Sequence, residues 1–327
     1  MKILITGNMG YIGPCVVSHL RSCYPEAELI GLDVGYFAGC LTNAGIFPEC
    51  RVNTQHFLDV RGIPRYLLKD IDAIVHLAAI SNDSMGKTFE DVTLDVNYRA
   101  SIDVAKKARR AGVKSFVFAS SCSMYGAGGN DAKTEKSQLN PLTAYAKSKV
   151  FTERDLAPLA DKDFKITCLR FSTACGMIER LRLDLVLNDF VAGAVSSKQI
   201  TILSDGTPWR PLIDVKDMAL AIEWAISREA TAGGNFLAVN IGSDVWNYQV
   251  RDLAEAVADV ISGVKISINK DSQPDKRSYR VNFNLFKKLA PEHQPRVDLI
   301  SSIKALKAGL EAMNFNNMDF RESSLMR

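Results

Sequence analysis

The chain has 327 residues, 47% hydrophobic and 24% charged, with a formal net charge of +3. That length buries a sizeable core in one large domain or two ordinary ones, and so small and dispersed a charge argues against a nucleic-acid-binding surface. No apolar run approaches the ~20 residues that span a bilayer, and the opening MKILITG lacks the apolar stretch and cleavage site of a signal peptide.

In chain order, strands are predicted at Lys2–Thr6, Glu28–Asp33, Arg51–Phe57, Ala73–His76, Ser115–Ala119 and Lys165–Arg170. Helical patterns at Tyr11–Cys23, Leu94–Ala111 and Thr143–Leu159 fall between them. Apolar strands alternating with helices imply a parallel sheet covered on both faces, and right-handed crossovers make it a doubly wound α/β fold. Further helices at Leu183–Ser196, Asp217–Arg228 and Val250–Ile261 and a strand at Lys265–Ile268 outline a smaller lobe, with no Pro/Gly/Ser-rich linker before it. The seven cysteines include no CxxC, a pattern of buried thiols in a reducing cytoplasm. The four histidines (19, 56, 76 and 293) show no metal-ligand spacing, so no metal is expected.

The segment ITGNMGYIG sets Gly7, Gly10 and Gly13 at three-residue intervals between the first strand and the first helix. Glycines there let the backbone approach a pyrophosphate, which the helix N-terminus then attracts. Asp33 closes the second strand, where a carboxylate accepts from ribose hydroxyls and repels a 2′-phosphate. The expected cofactor is therefore NAD. Tyr145 and Lys149 stand four apart on a predicted helix and share a face. A nearby ammonium favours the phenolate, which can then take a proton near neutral pH.

Several segments together resemble the extended short-chain dehydrogenase/reductase family, particularly its nucleotide-sugar epimerases and dehydratases. They are the glycine loop, DVR from Asp59, IVHLAA (74–79), NYRAS from Asn97, SSCSMYG (120–126), YAKSK from Tyr145, RPLIDVKD from Arg210 and PDKRSY (274–279). The resemblance implies a Rossmann domain over 1–176, joined by about 205–240, and a substrate lobe from 177–204 and 241–327. It implies that Gly7, Gly10, Tyr11, Ile12 and Gly13 hold the pyrophosphate, and that Asp59 and Val60 flank the adenine. Leu77, Ala78 and Ala79 would pass behind the pyrophosphate and ribose, and Asn97 would sit beside the active site. Ser121, four residues before Tyr125, would join Tyr145 and Lys149 in catalysis, with Ser120 structural or touching the cofactor. Tyr125 would line the pocket wall.

The positions after Ser121 separate subfamilies. Sugar 4,6-dehydratases resemble one another in an acidic residue there, whereas this chain has Cys122 and Ser123, expected as pocket contacts. On the substrate side the resemblance suggests Thr173 for the sugar and Asn188, Arg210, Arg277 and Arg280 for the diphosphate. It thus implies an NAD-dependent nucleotide-sugar 4-epimerase working through a 4-keto intermediate. The alternatives are a 4-keto-sugar reductase, a dehydratase or decarboxylase, and a non-catalytic NAD-binding sensor. A homodimer is expected, with no nucleic-acid or membrane partner.

Overall fold

The computed structural model describes residues 1–81, 88–127, 129, 131–269, 278–323, 325 and 326. Its strands are β1 (Lys2–Thr6), β2 (Glu28–Asp33), β3 (Thr54–Phe57), β4 (Ala73–His76), β5 (Ser115–Ser121), β6 (Lys165–Phe171), β7 (Thr173–Cys175), β8 (Gln199–Ile202), β9 (Trp209–Asp214), β10 (Phe236–Ile241), β11 (Asn247–Gln249) and β12 (Lys265–Ile268). The helices are α1 (Gly13–Cys23), α2 (Glu90–Leu94), α3 (Ala100–Ala111), α4 (Ala144–Leu156), α5 (Val186–Ser196), α6 (Val215–Ser227), α7 (Val250–Val260), α8 (Asn284–Leu289) and α9 (Leu299–Ala312).

Seven strands pair in the order β10-β6-β5-β4-β1-β2-β3, all parallel. The alternation of side chains along each strand explains the two covered faces. Ile3, Ile5, Leu29, Val75, Val117 and Leu169 enter one core with α1 and α6. Their neighbours Leu4, Ile30, Ile74, Phe116 and Ile166 enter the other, with α3. Each fully buried side chain of this size contributes about 1.5–3 kcal/mol relative to exposure. The order reverses between β1 and β4, which places the ligand crevice beyond their C-terminal ends.

The seventh strand, β10, was not among the predicted strands. It completes the sheet by pairing with β6 in register, Phe236 opposite Ile166 through Ile241 opposite Phe171. Two smaller sheets build the rest: β11-β9-β7, and the parallel pair β12-β8. The predicted helix 94–111 is two helices joined by a π turn at Asp95–Arg99. Late in the chain, the segment around α8 returns to the main sheet's helices, with Phe286 stacked edge-on against Trp224 of α6 at 5.5 Å.

Candidate active site

The glycine loop leaves the end of β1 with Gly7 at φ +74°, and a Cβ there would stand 2.6 Å from Ala78 N. At Gly13 it would stand 2.1 Å from Asn8 O. Those two glycines are required by packing alone. Gly10 differs: its Cβ would meet only Gly7 O, at 3.3 Å, so the loop's outer side is open. Helix α1 then starts without a side-chain cap at Ile12, which leaves its first N–H groups for an anion. Asp33 accepts from Met9 N at 3.1 Å and Gly35 N at 2.9 Å. Burial raises its pKa and these two bonds oppose the rise. An open glycine face, uncapped amides and a carboxylate on the ribose side fit a dinucleotide. Tyr11 is buried, and its hydroxyl donates to Gly176 O at 2.7 Å.

Asp59 caps the turn that contains buried Val60, accepting from Arg61 N at 2.9 Å, and the Arg61 side chain holds its pKa low. Leu77, Ala78 and Ala79 follow β4 and are partly exposed above Gly7. Asn97 sits in the π turn and clamps this loop: its amide donates to Ile80 O at 2.8 Å and accepts from Ile80 N at 2.7 Å. Single π turns often serve to aim a side chain in this way. His76 buttresses the loop from below, between Thr6 Oγ1 and Ser101 Oγ at 2.8 Å each. Burial pulls its pKa down to about 3, so the ring is neutral.

Helix α4 begins at Thr143, whose hydroxyl accepts from Ala146 N at 3.1 Å. It carries Tyr145 and Lys149 on one face, with the Lys149 ammonium 5.3 Å from the Tyr145 ring centre. Lys149 is buried against Phe118, and its Nζ donates to Ala119 O at 2.6 Å. Burial pulls its pKa down to about 7. Ala119 lies two residues before Ser121 on β5, so strand and helix bring the three predicted catalytic residues to one edge. Ser121 Oγ donates to Ser123 Oγ at 2.9 Å and accepts from Ser123 N at 3.1 Å.

Behind them runs a buried polar chain that the sequence reading did not anticipate. Ser120 Oγ donates to Glu153 at 2.5 Å, and Arg170 pairs with both Glu153 oxygens. Arg170 also donates to the Tyr125 hydroxyl at 3.1 Å, and that hydroxyl donates to Asn240 Oδ1 at 2.6 Å. Glu153 is four residues after Lys149, a spacing that could have flagged it. Two expectations change here. Tyr125 is fully buried and is not a pocket wall. Cys122 is fully buried too, its thiol donating to Arg170 O at 3.0 Å, so it does not reach a substrate in this conformation. Burial raises its pKa well above the usual thiol range.

On the lobe side, Asn188 is fully buried. It accepts from Gly176 N and donates to the Tyr11 hydroxyl and Arg182 O, so its amide is spent within the protein rather than facing a diphosphate. Thr173 and Arg210 are partly exposed on the paired strands β7 and β9. Arg280 lies over the ring of Trp209, the residue before Arg210, at 5.2 Å. Arg277 lies outside the described residues. Arg182 emerges as a further site residue. It pairs with Asp184 at 2.6 Å and donates to Ser81 Oγ at 2.7 Å. Burial lowers its pKa, but Asp184, Tyr145 and Tyr11 outweigh that and raise it. The influence of Tyr145 puts the guanidinium within electrostatic reach of that phenol.

A glycine loop at the switch point, a carboxylate ending β2 and a Ser-Tyr-Lys edge define an NAD-dependent enzyme of the extended short-chain dehydrogenase/reductase type. The model of the NAD dependent epimerase/dehydratase family matches residues 3–242, and the chain belongs to that family. It is 30% identical over 251 residues to a Bacillus subtilis protein described as an uncharacterized UDP-glucose epimerase, covering 74% of this chain and 77% of that one. It is 28% identical over 272 residues to a UDP-glucose 4-epimerase of Neisseria meningitidis, with the same coverage of 74% and 77%. Among solved structures, the NAD-dependent NDP-hexosamine 5,6-dehydratase TunA superposes with a TM-score of 0.82 at 20% identity over 97% of this chain and 99% of that one. At that identity the likeness is one of fold. No described helix is long and apolar enough to cross a membrane.

Proposed function

We propose that the protein is a nucleotide-sugar 4-epimerase. The observation that carries this choice is the environment of Ser121. It adjoins a Tyr145–Lys149 pair suited to removing a hydroxyl proton, and it is followed by a buried thiol and a hydroxyl where an elimination would need an acid. NAD+, when bound, supplies the hydride acceptor and, once reduced, the donor that makes the cycle redox-neutral. Tyr145 takes the proton of the C4 hydroxyl, Ser121 hydrogen-bonds the same oxygen as it becomes a carbonyl, and Lys149 favours the ionised phenol. Arg182 adds a second cation near that phenol. After the 4-keto sugar has turned, Tyr145 returns the proton and the opposite C4 epimer leaves. Arg210 and Arg280 bind the diphosphate, Thr173 faces the sugar, and Asp33, Asp59 and the glycine loop hold the cofactor.

The test is incubation with a panel of nucleotide sugars in D2O, followed by proton NMR. Interconversion of C4 epimers with no deuterium at any carbon is the expected result. Deuterium at C5 or C6 with loss of water would replace this reading by a dehydratase. Turnover only of a 4-keto sugar, with consumption of NADH, would replace it by a reductase. We also propose a homodimer through the segments 94–111 and 143–159, which contain α3 and α4, with Phe89 and Val92 exposed at 54% and 44% just before the first of them. Size-exclusion chromatography with light scattering tests it, and a monomer would refute it.

A further inference from the structure

At the far end of α1 from the glycine loop, three side chains with metal-ligand chemistry converge, and His293 reaches the carboxylate among them. His19 and Cys23 lie one turn apart on α1, with Cys23 Sγ 3.5 Å from His19 Nε2. Glu223 of α6 places Oε2 3.6 Å from His19 Nε2 and 3.3 Å from His293 Nε2. The donor atoms of His19, Cys23 and Glu223 all lie within 4.8 Å of one another. Two of the chain's four histidines thus meet over one carboxylate, brought together by three separate elements. Spacing alone did not reveal this, because His293 is remote in sequence.

The separations discriminate between two explanations. Good N–H···O hydrogen bonds run about 2.7–3.2 Å between heavy atoms, and both histidine–Glu223 separations are slightly longer. Donors bound about 2.0–2.3 Å from a common tetrahedral ion stand ~3.3–3.6 Å from each other, and the His19–Cys23 and His19–Glu223 separations of 3.5 and 3.6 Å fall in that range. We propose that His19, Cys23 and Glu223 form a three-ligand binding site for a tetrahedral divalent transition ion, Zn2+ by ligand type, with His293 beside Glu223 as an outer partner. A thiolate and a carboxylate balance the ion's two charges, and thiolate with imidazole disfavours Mg2+ and Ca2+. Tyr24, whose hydroxyl donates to Glu223 Oε1 at 3.3 Å, orients the carboxylate from outside, as second ligands around zinc commonly do.

The site is structural. Helix α1 has 11 residues and is therefore about 16 Å long, with the glycine loop at its other end. A bound ion ties α1 to α6, and Glu223 in turn links them to the Pro291–His293 turn through His293.

The test uses the full-length protein stripped with a chelator and titrated with Co2+, then Zn2+. The expected result is one equivalent of Co2+ with the strong visible bands of a tetrahedral site and a near-ultraviolet thiolate-to-cobalt band, all displaced by Zn2+. Zinc at 100 times its Kd should raise the Tm by about 3 °C or more. Cys23→Ser should remove the thiolate band, and His293→Ala should weaken binding at least tenfold. Both side chains are at the surface, so both variants should fold. Weak octahedral spectra, less than half an equivalent bound at micromolar protein, or binding unchanged in both variants would overturn the proposal.

Discussion

The wall formed by β5 and α4 and the opposing lobe wall use polar side chains in opposite ways. On the β5/α4 wall, Lys149, Ser120, Glu153, Arg170 and Tyr125 are buried and bonded to one another or to backbone. On the lobe wall, Arg210 and Arg280 are partly exposed beside Trp209, and Thr173 shares that partial exposure. The first wall is preorganised before any ligand arrives; the second meets ligand at a wetter surface. Under the proposed function, chemistry falls to the bonded wall and substrate choice to the exposed one.

The comparison can be broken most sharply at Tyr145. Tyr145→Phe should lower kcat about 10²–10⁴-fold, the usual worth of a positioned acid–base group, with Tm and NAD affinity unchanged; steady-state kinetics on the turned-over sugar checks it. Next, Glu153→Gln should destabilise the fold by about 3–5 kcal/mol, because it leaves Arg170 buried without its partner charge. Urea unfolding measures this, and the double variant Glu153→Met/Arg170→Leu should recover much of the loss. If the lobe wall is the adaptable one, Arg210→Ala should raise KM about 10–100-fold, a charged hydrogen bond's worth, with little change in Tm.

A further effect is one of pH. Lys149 has a folded pKa of about 7 against ~10.4 unfolded. Between those values the unfolded chain binds more protons, so this group's contribution to stability rises with pH. Lys149→Met should therefore be more stable than the parent below pH 7 without ligand. That advantage should shrink from about pH 7 to pH 10, by at most ~1.4 kcal/mol per pH unit. Urea unfolding of both proteins across that range checks it, and a constant gap would mean the ammonium is solvated.

Local patterns made the glycine loop and the Tyr145–Lys149 pair legible in the sequence. Gly7, Gly10 and Gly13 are spaced by a turn and Tyr145 and Lys149 by one helical turn, so the geometry travels with the spacing. Five of the first six strands were visible for the same reason, as short apolar runs with clear ends; β3, TQHF, is polar and was placed by its position between them. What stayed hidden depends on partners far along the chain. Asn188 looks like a ligand contact until Tyr11, 177 residues away, is found using its amide. Cys122 looks like a pocket residue until Arg170 O is found accepting its proton. β10 carries an apolar run inside the stretch expected to rejoin the Rossmann domain, but only its pairing with β6 identifies it as a strand of the main sheet.

The bonds joining Tyr11, Gly176 and Asn188 bear on how this architecture can be recombined. They fasten the helix that starts at the glycine loop to the first helix of the lobe. A chimaera that imports a foreign lobe to change sugar choice would therefore also replace a bond that seats the cofactor loop. Position 11 and position 188 would have to be transplanted as a pair, and a donor lobe with a different residue at 188 would bring a loosened nucleotide site with its new specificity.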